Sequence, residues 1–239
     1  QPKIELASGR VVGAEALVRW MRPGVGMVPP MQFIPIAEEI GLIVEIGEWV
    51  IETVCAQMAA WRAAGLGDVK VAINVTRLDL VAGGLVRAVA GAMGRHRIER
   101  GQLVIELTES MLVDRVEQTR SQLEELRGLG VELSIDDFGT GYSSMNYLKR
   151  FPFDELKIDK SFIDGTPHDA TDSAIIKAMI VLAHSLGMRA VAEGVEIAAQ
   201  RDLLRSLGCD GCQGFLYSKP LAAAAFQARL LEINAAVPG

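Results

Sequence analysis

The chain has little cysteine, no long apolar run and no excess of basic charge. Three cysteines in 239 residues, an odd number, fit a reducing compartment and give no disulfide framework. Cys209-Asp-Gly-Cys212 has the spacing of half a zinc site or a redox pair. No second Cys/His pair stands ready to complete a zinc site, and Cys55 falls inside an apparent helix, so a structural role is favoured for all three. The longest apolar candidate, Ala178 to Leu186, falls short of the roughly 18 residues of a membrane helix and contains His184 and Ser185. No secretory signal is visible. A net charge of -6 argues against a broad electrostatic grip on a nucleic-acid polymer or an anionic membrane.

What is present is apolar and periodic. Half of the residues are hydrophobic, which suits one large domain or two small ones. Ile4–Leu6 and Arg10–Trp20 flank the turn signal Ala-Ser-Gly and read as a hairpin, with Gly13, Glu15, Leu17 and Arg19 on one face of its second strand. A Pro/Gly-rich loop, Arg22 to Pro30, precedes helical patterns around Phe33–Glu39 and across Val44–Ala64. Strands then alternate with helices: Val69–Val75, Leu103–Thr108, Val131–Asp136, Glu155–Ile158, Arg189–Glu193 and Cys209–Phe215, separated by patterns such as Gly84–Arg95, Arg115–Leu129, Ser143–Arg150 and Ala170–Leu186. Ala198–Leu207 and Leu221–Ile233 complete the helices. Strands joined through long helices pair in parallel. Eight strands in a chain of this length predict a (β/α)8 TIM-like barrel whose opening hairpin makes the first strand antiparallel. An open doubly wound sheet is the alternative, and no G-x-G-x-x-G follows the first strand to support it.

A barrel places its chemistry at the carboxyl ends of its strands. Those ends read Glu15, Asn74, Glu106, Asp136-Asp137, Lys157, Glu193 and Gln213. Two adjacent carboxylates closing a buried strand repel by about 4 kcal/mol at about 4 Å and an effective dielectric near 20. They are tolerated if one is protonated, if both face water, or if a cation lies between them. One acid at a strand end is ordinarily a solvated rim residue. Five converging on one mouth with one lysine call for divalent cations. The donors are all oxygens, without His or Cys, which selects hard ions such as Mg²⁺ or Mn²⁺. One aspartate placed to bridge suggests two ions flanking an in-line displacement at phosphorus. Arg19 is available for a phosphate oxygen. Gly139-Thr-Gly141 either presents N–H groups to an anion or lets the loop turn.

These residues resemble a known family. Ala14-Glu-Ala-Leu-Val-Arg-Trp20 is similar to the signature of EAL domains, bacterial phosphodiesterases acting on cyclic di-GMP. The likeness recurs in Phe33-Ile-Pro-Ile-Ala-Glu38, Asn74-Val-Thr76, Glu106-Leu-Thr-Glu-Ser110, Asp136-Asp-Phe-Gly-Thr-Gly-Tyr-Ser-Ser144, Leu156-Lys-Ile-Asp159, Ala192-Glu-Gly-Val-Glu196, Gln213-Gly214 and Lys219-Pro-Leu221. The resemblance implies a barrel with an antiparallel first strand and a single domain over 1–239. It also implies a piece excised from a longer protein, without the extreme N-terminal helix, in which sensory or cyclase-like modules regulate the barrel. It implies metal-dependent hydrolysis of cyclic di-GMP to linear pGpG, with two Mg²⁺ or Mn²⁺ ions per site, in the cytoplasm, any membrane tether lying outside this segment. A homodimer is a further expectation.

By the same resemblance Glu15, Asn74, Glu106 and Asp136 hold one ion, while Asp136, Asp137 and Glu193 hold the second. Lys157 orients the attacking water. Glu193 is either a ligand or the general base. Glu109 anchors the Asp137–Ser144 loop through Ser143 or Thr140. Leu17, Arg19, Asp159, Glu196 and Gln213 meet the dinucleotide. Thr76, Asp79 and Phe151-Pro-Phe153 depart from the family pattern, and none is an expected ligand. The alternative is a receptor that binds cyclic di-GMP without turnover; such a receptor should lack some of the ligand set, and none is missing here. A metal-dependent lyase on the same barrel would need different strand-end residues.

Overall fold

The structure is a computed structural model that describes residues 1–67, 69–112, 116–140 and 145–236. Its barrel strands are β1 (Pro2–Glu5), β2 (Val11–Ala16), β5 (Lys70–Asn74), β6 (Leu103–Thr108), β7 (Glu132–Phe138), β8 (Glu155–Ile158), β9 (Arg189–Ala192) and β10 (Gly211–Cys212). They close in the order β1-β10-β9-β8-β7-β6-β5-β2. β1 runs antiparallel to both neighbours, β2 and β10, and the other pairs are parallel. This is the expected (β/α)8 barrel with one reversed strand.

Period two along each strand divides the side chains between two environments. Ile73, Leu103, Ile105, Leu107, Leu133, Leu156, Ile158 and Ala190 are at most 1% exposed and share one core with Val89, Leu123, Leu126, Ile176, Ile180 and Leu204 of the surrounding helices. Each such large side chain contributes about 1.5–3 kcal/mol through burial. The residues between them, Ala72, Val104, Ser134, Glu106, Asp136, Glu155 and Lys157, point the other way, into the barrel. The small ones leave room for long polar ones. The helix α2 (Ile43–Ala63) shows the complementary period, burying Ile51, Val54, Cys55, Met58 and Trp61. Gly65, at φ +80°, turns the chain out of it.

Several elements differ from the sequence expectation. β2 ends at Ala16, because its parallel partner β5 is in register only as far as Ala16↔Ile73. Leu17 and Arg19 therefore lie beyond the strand that carries Glu15. The Pro/Gly-rich loop contains an antiparallel pair, β3 (Trp20–Arg22) and β4 (Gly26–Val28). This pair packs on α1 (Pro30–Glu39) through Trp20 and Phe33, whose rings meet edge-on at 5.8 Å. β10 is two residues rather than seven. A short helix, α3 (Arg77–Ala82), follows β5 where the sequence pattern predicts only a connection. Thr76 and Asp79 build its N-terminus as a capping box, Thr76 N–H donating to Asp79 Oδ2 at 2.7 Å. The two departures from the family pattern thus work as a pair. The three cysteines are free and buried, and burial pushes the Cys209 thiol up to about 12. No helix among the described residues is long and apolar enough to cross a membrane.

Candidate active site

The carboxyl ends of the parallel strands bring Glu15, Asn74, Glu106, Asp136, Lys157, Glu193 and Gln213 together. Lys157, fully buried, is the centre of the cluster. Its ammonium lies 2.5 Å from Glu193 Oε1, 2.8 Å from Glu106 Oε2, 3.1 Å from Asp136 Oδ2 and 3.7 Å from Glu15 Oε2. Burial alone would push its pKa down. Glu106, Glu193, Glu15 and Asp136 outweigh that and hold it well above the usual lysine value. Glu15 accepts from the Asn74 amide at 2.7 Å and from the Gln213 amide at 2.6 Å. Despite burial, Lys157 and these amides hold its carboxyl below the usual range.

One ammonium cannot settle four acids. Glu193 sits closest to Lys157, yet burial, with Asp136 and Glu15 nearby, pushes its pKa up to about 8. Asp137 is also raised, by burial and then by Asp136. The mouth has more negative charge than the protein's own groups neutralise. Oxygens of Asp136, Asp137 and Glu193 lie within 4.8 Å of one another, the one group of three such donors among the described residues. Gln213 Oε1 is buried without a hydrogen-bond partner among the described residues. An all-oxygen donor set with surplus charge fits a hard divalent cation.

Adjacent residues of a regular strand face opposite ways, so Asp136 and Asp137 need a device to serve one mouth. Against β8, Ile135 pairs with Leu156 and Phe138 with Ile158, which leaves one extra residue in β7. This bulge takes Asp137 to φ +53°, a left-handed conformation that aspartate tolerates better than most residues. The Asp137 N–H donates back to Asp136 Oδ1 at 2.9 Å. Gly139 follows at φ +94°, where a Cβ would lie 2.4 Å from Met179 Cε, so both backbone angle and space require glycine.

Glu109, in the short 3₁₀ turn after β6, accepts from Gly139 N–H at 3.3 Å, while the Thr140 hydroxyl donates to the Asp137 carbonyl at 2.9 Å. Gly141, Tyr142, Ser143 and Ser144 lie outside the described residues. Leu17 is half-buried and Arg19 exposed, with the Arg19 guanidinium on the Val18 carbonyl. Asp159 caps the short helix Lys160–Ile163, accepting from Ser161 N–H at 3.0 Å. Glu196 is exposed and pairs with Lys160 at 2.9 Å. Neither belongs to the group of carboxylates within 4.8 Å, though the Asp159 charge helps to raise Asp137.

Sequence reasoning missed Lys3 and Glu155, which sit inside the barrel beneath the cluster. Lys3 Nζ reaches Glu106 Oε1 at 2.6 Å and Glu155 Oε1 at 3.0 Å. The available signal was alternation: a lysine in Pro-Lys-Ile-Glu-Leu, between positions whose neighbours are apolar, and a glutamate two residues before Lys157.

A mostly parallel barrel with surplus carboxylate at its carboxyl-terminal mouth defines a class, the barrels whose mouth suits a divalent cation. The family model for the EAL domain matches residues 1–220, and the chain belongs to the EAL domain family. It is 46% identical over 223 residues to the bifunctional diguanylate cyclase/cyclic di-GMP phosphodiesterase MucR of Pseudomonas aeruginosa, covering 93% of this chain and 33% of MucR. The oxygen sensor protein DosP of Escherichia coli is 41% identical, with 93% of this chain and 28% of DosP covered. The chain thus spans about a third of the length of curated relatives that it matches. A structure of the MucR phosphodiesterase in complex with c-di-GMP superposes with a TM-score of 0.90 at 46% identity, covering 95% of this chain and 92% of that one.

Proposed function

We propose that the chain hydrolyses cyclic di-GMP to linear pGpG at this mouth, using two Mg²⁺ or Mn²⁺ ions. The observation that carries the reading is the convergence of Glu15, Glu106, Asp136, Asp137 and Glu193 on one lysine, with Asp136, Asp137 and Glu193 oxygens within 4.8 Å. Family membership and the c-di-GMP complex of MucR supply the substrate class. Glu15, Asn74, Glu106 and Asp136 would hold one ion, and Asp136, Asp137 and Glu193 the other. When bound, the ions supply positive charge that acidifies a water and offsets charge developing on phosphate oxygens.

The chain's own groups have separable tasks. Lys157 fixes Glu106, Asp136 and Glu193 relative to one another. Its ammonium has three N–H donors and three carboxylates within 3.1 Å, so it takes a water only in place of one of them. Glu193, at the mouth beside Lys157, serves either as a ligand of the second ion or as the group that takes a proton from the attacking water. Arg19 is exposed beside the mouth and able to turn from the Val18 carbonyl to a phosphate oxygen. Glu109, through Gly139 N–H, steadies the turn that follows Asp137. Incubation of the chain with cyclic di-GMP and Mg²⁺ or Mn²⁺, followed by chromatography, is expected to give pGpG. Intact cyclic di-GMP bound to the protein under both ions would instead establish a receptor.

A further inference from the structure

The barrel interior holds a second buried lysine that the reading above does not use. Glu106 is 1% exposed, and its two carboxylate oxygens have different partners: Oε2 takes Lys157 at 2.8 Å from the mouth, and Oε1 takes Lys3 at 2.6 Å from below. Lys3 belongs to β1, the reversed strand. Its ammonium also reaches Glu155 Oε1, which accepts from Ser134 Oγ at 3.2 Å, while Glu155 Oε2 accepts from Arg189 at 3.3 Å. Arg189 continues to Glu132 Oε2 at 2.7 Å, and Glu132 Oε1 to Lys70 at 2.6 Å. Alternating charges therefore run through the barrel as Lys157–Glu106–Lys3–Glu155–Arg189–Glu132–Lys70. The lower members open on a cavity of about 450 Å³ lined by Lys3, Lys70, Glu155 and Arg189.

We propose that Lys3 is a positioning residue for the hydrolysis: it holds Glu106 Oε1 from inside the barrel, so that Oε2 alone is offered to the mouth. The proposal rests on the divalent-metal reading of that mouth. Glu155 keeps other donors without Lys3, because Arg189 and Ser134 also hydrogen-bond to it. Glu106 Oε1, by contrast, has Lys3 as its partner among the described residues. Without Lys3 the carboxylate can rotate, and a buried anion loses half of its hydrogen bonding. The ladder below makes the hold rigid, since Lys3 is fixed between two carboxylates on different strands, β6 and β8. Groups that orient a metal-binding carboxylate typically change metal affinity by 10–100-fold when removed.

The test is calorimetric titration of Mn²⁺ into the metal-free chain without substrate, for wild type, Lys3→Met, Glu155→Gln and Lys3→Met/Glu155→Gln. Lys3→Met and the double variant are expected to bind Mn²⁺ at least about tenfold more weakly. Glu155→Gln keeps Lys3 on Glu106 and is expected to stay within about threefold of wild type by the same reasoning. In turnover assays, the Mn²⁺ concentration for half-maximal rate should shift in parallel, with KM for cyclic di-GMP at saturating Mn²⁺ unchanged. The double variant removes the acid that Lys3→Met leaves without its lysine, so it reports if the single variant fails to fold. Wild-type Mn²⁺ affinity in the double variant overturns the proposal, as does failure of both Met variants to fold, which would make Lys3 a folding residue. If the wild-type chain itself binds no Mn²⁺, the reading of the mouth falls and this inference with it.

Discussion

The two ends of the barrel handle charge in opposite ways. At the carboxyl-terminal mouth, Glu15, Glu106, Asp136 and Glu193 share Lys157, and Glu193 is driven up to about 8. At the other end Glu132 and Glu155 are each held between two cations, drawn from Lys3, Lys70 and Arg189. There Glu155, more deeply buried than Glu193, goes the other way. Burial would raise its pKa, but Lys3 and Arg189 hold it down at about 2. The same residue type on the same scaffold is strained at one end and satisfied at the other. Matched charge serves the fold, and surplus charge marks where something must bind.

The largest effect is expected of Asp136→Asn, which removes the acid proposed to serve both ions. Turnover should fall by about a thousandfold or more, on the scale of losing an ion that activates the nucleophile. The melting temperature of the metal-free chain should not drop, because the substitution relieves repulsion. A comparable loss of stability would place Asp136 among the structural charges, and initial rates beside melting curves distinguish the two.

The pH dependence of stability should carry opposite signs at the two ends. Glu155, with a folded pKa of about 2 against 4.5 when unfolded, contributes roughly 3 kcal/mol above pH 4.5 that is lost as pH falls toward 2. Glu193, at about 8, binds a proton in the folded chain where the unfolded chain has released it, so metal-free stability falls as pH rises from about 4.5 to 8. Denaturation midpoints across this range should show both limbs. Saturating Mn²⁺ should flatten the upper limb alone, and Glu155→Gln the lower. An upper limb indifferent to Mn²⁺ would separate Glu193 from the metal.

Smaller effects sharpen the mouth itself. Glu109→Ala should reduce turnover about tenfold, the cost of about 1.4 kcal/mol in the transition state, with the melting temperature nearly unchanged. A large stability loss would give Glu109 a structural role. Arg19→Ala should raise KM for cyclic di-GMP by up to about tenfold and leave kcat within about twofold, the pattern of lost uniform binding. A fall in kcat of the same size would place Arg19 in the transition state.

Much of this was legible in the chain because period two is a strong signal. Glu106 and Lys157 lie between fully buried apolar neighbours, and Asp136 follows buried Ile135 at period two from Ser134, so both their face and their end of the barrel could be read. What could not be read depends on a neighbour's register. The bulge that turns Asp137 toward Asp136 exists only against β8. β2 stops at Ala16, where its pairing with β5 runs out at Ala16↔Ile73. Lys3 gains its meaning from the level at which β1 meets Glu106, a distance of 103 residues along the chain. Thr76 and Asp79 looked like isolated departures until α3 joined them as a cap.

We propose that the surplus carboxylate at the mouth holds two ions. The most direct measurement is the number of Mn²⁺ ions bound per chain at saturation in the presence of cyclic di-GMP, for wild type and Asp136→Asn. Two ions in wild type, with both weakened or lost in Asp136→Asn, is the predicted result. Two ions retained with unchanged affinity in Asp136→Asn, or none bound by wild type, would contradict it.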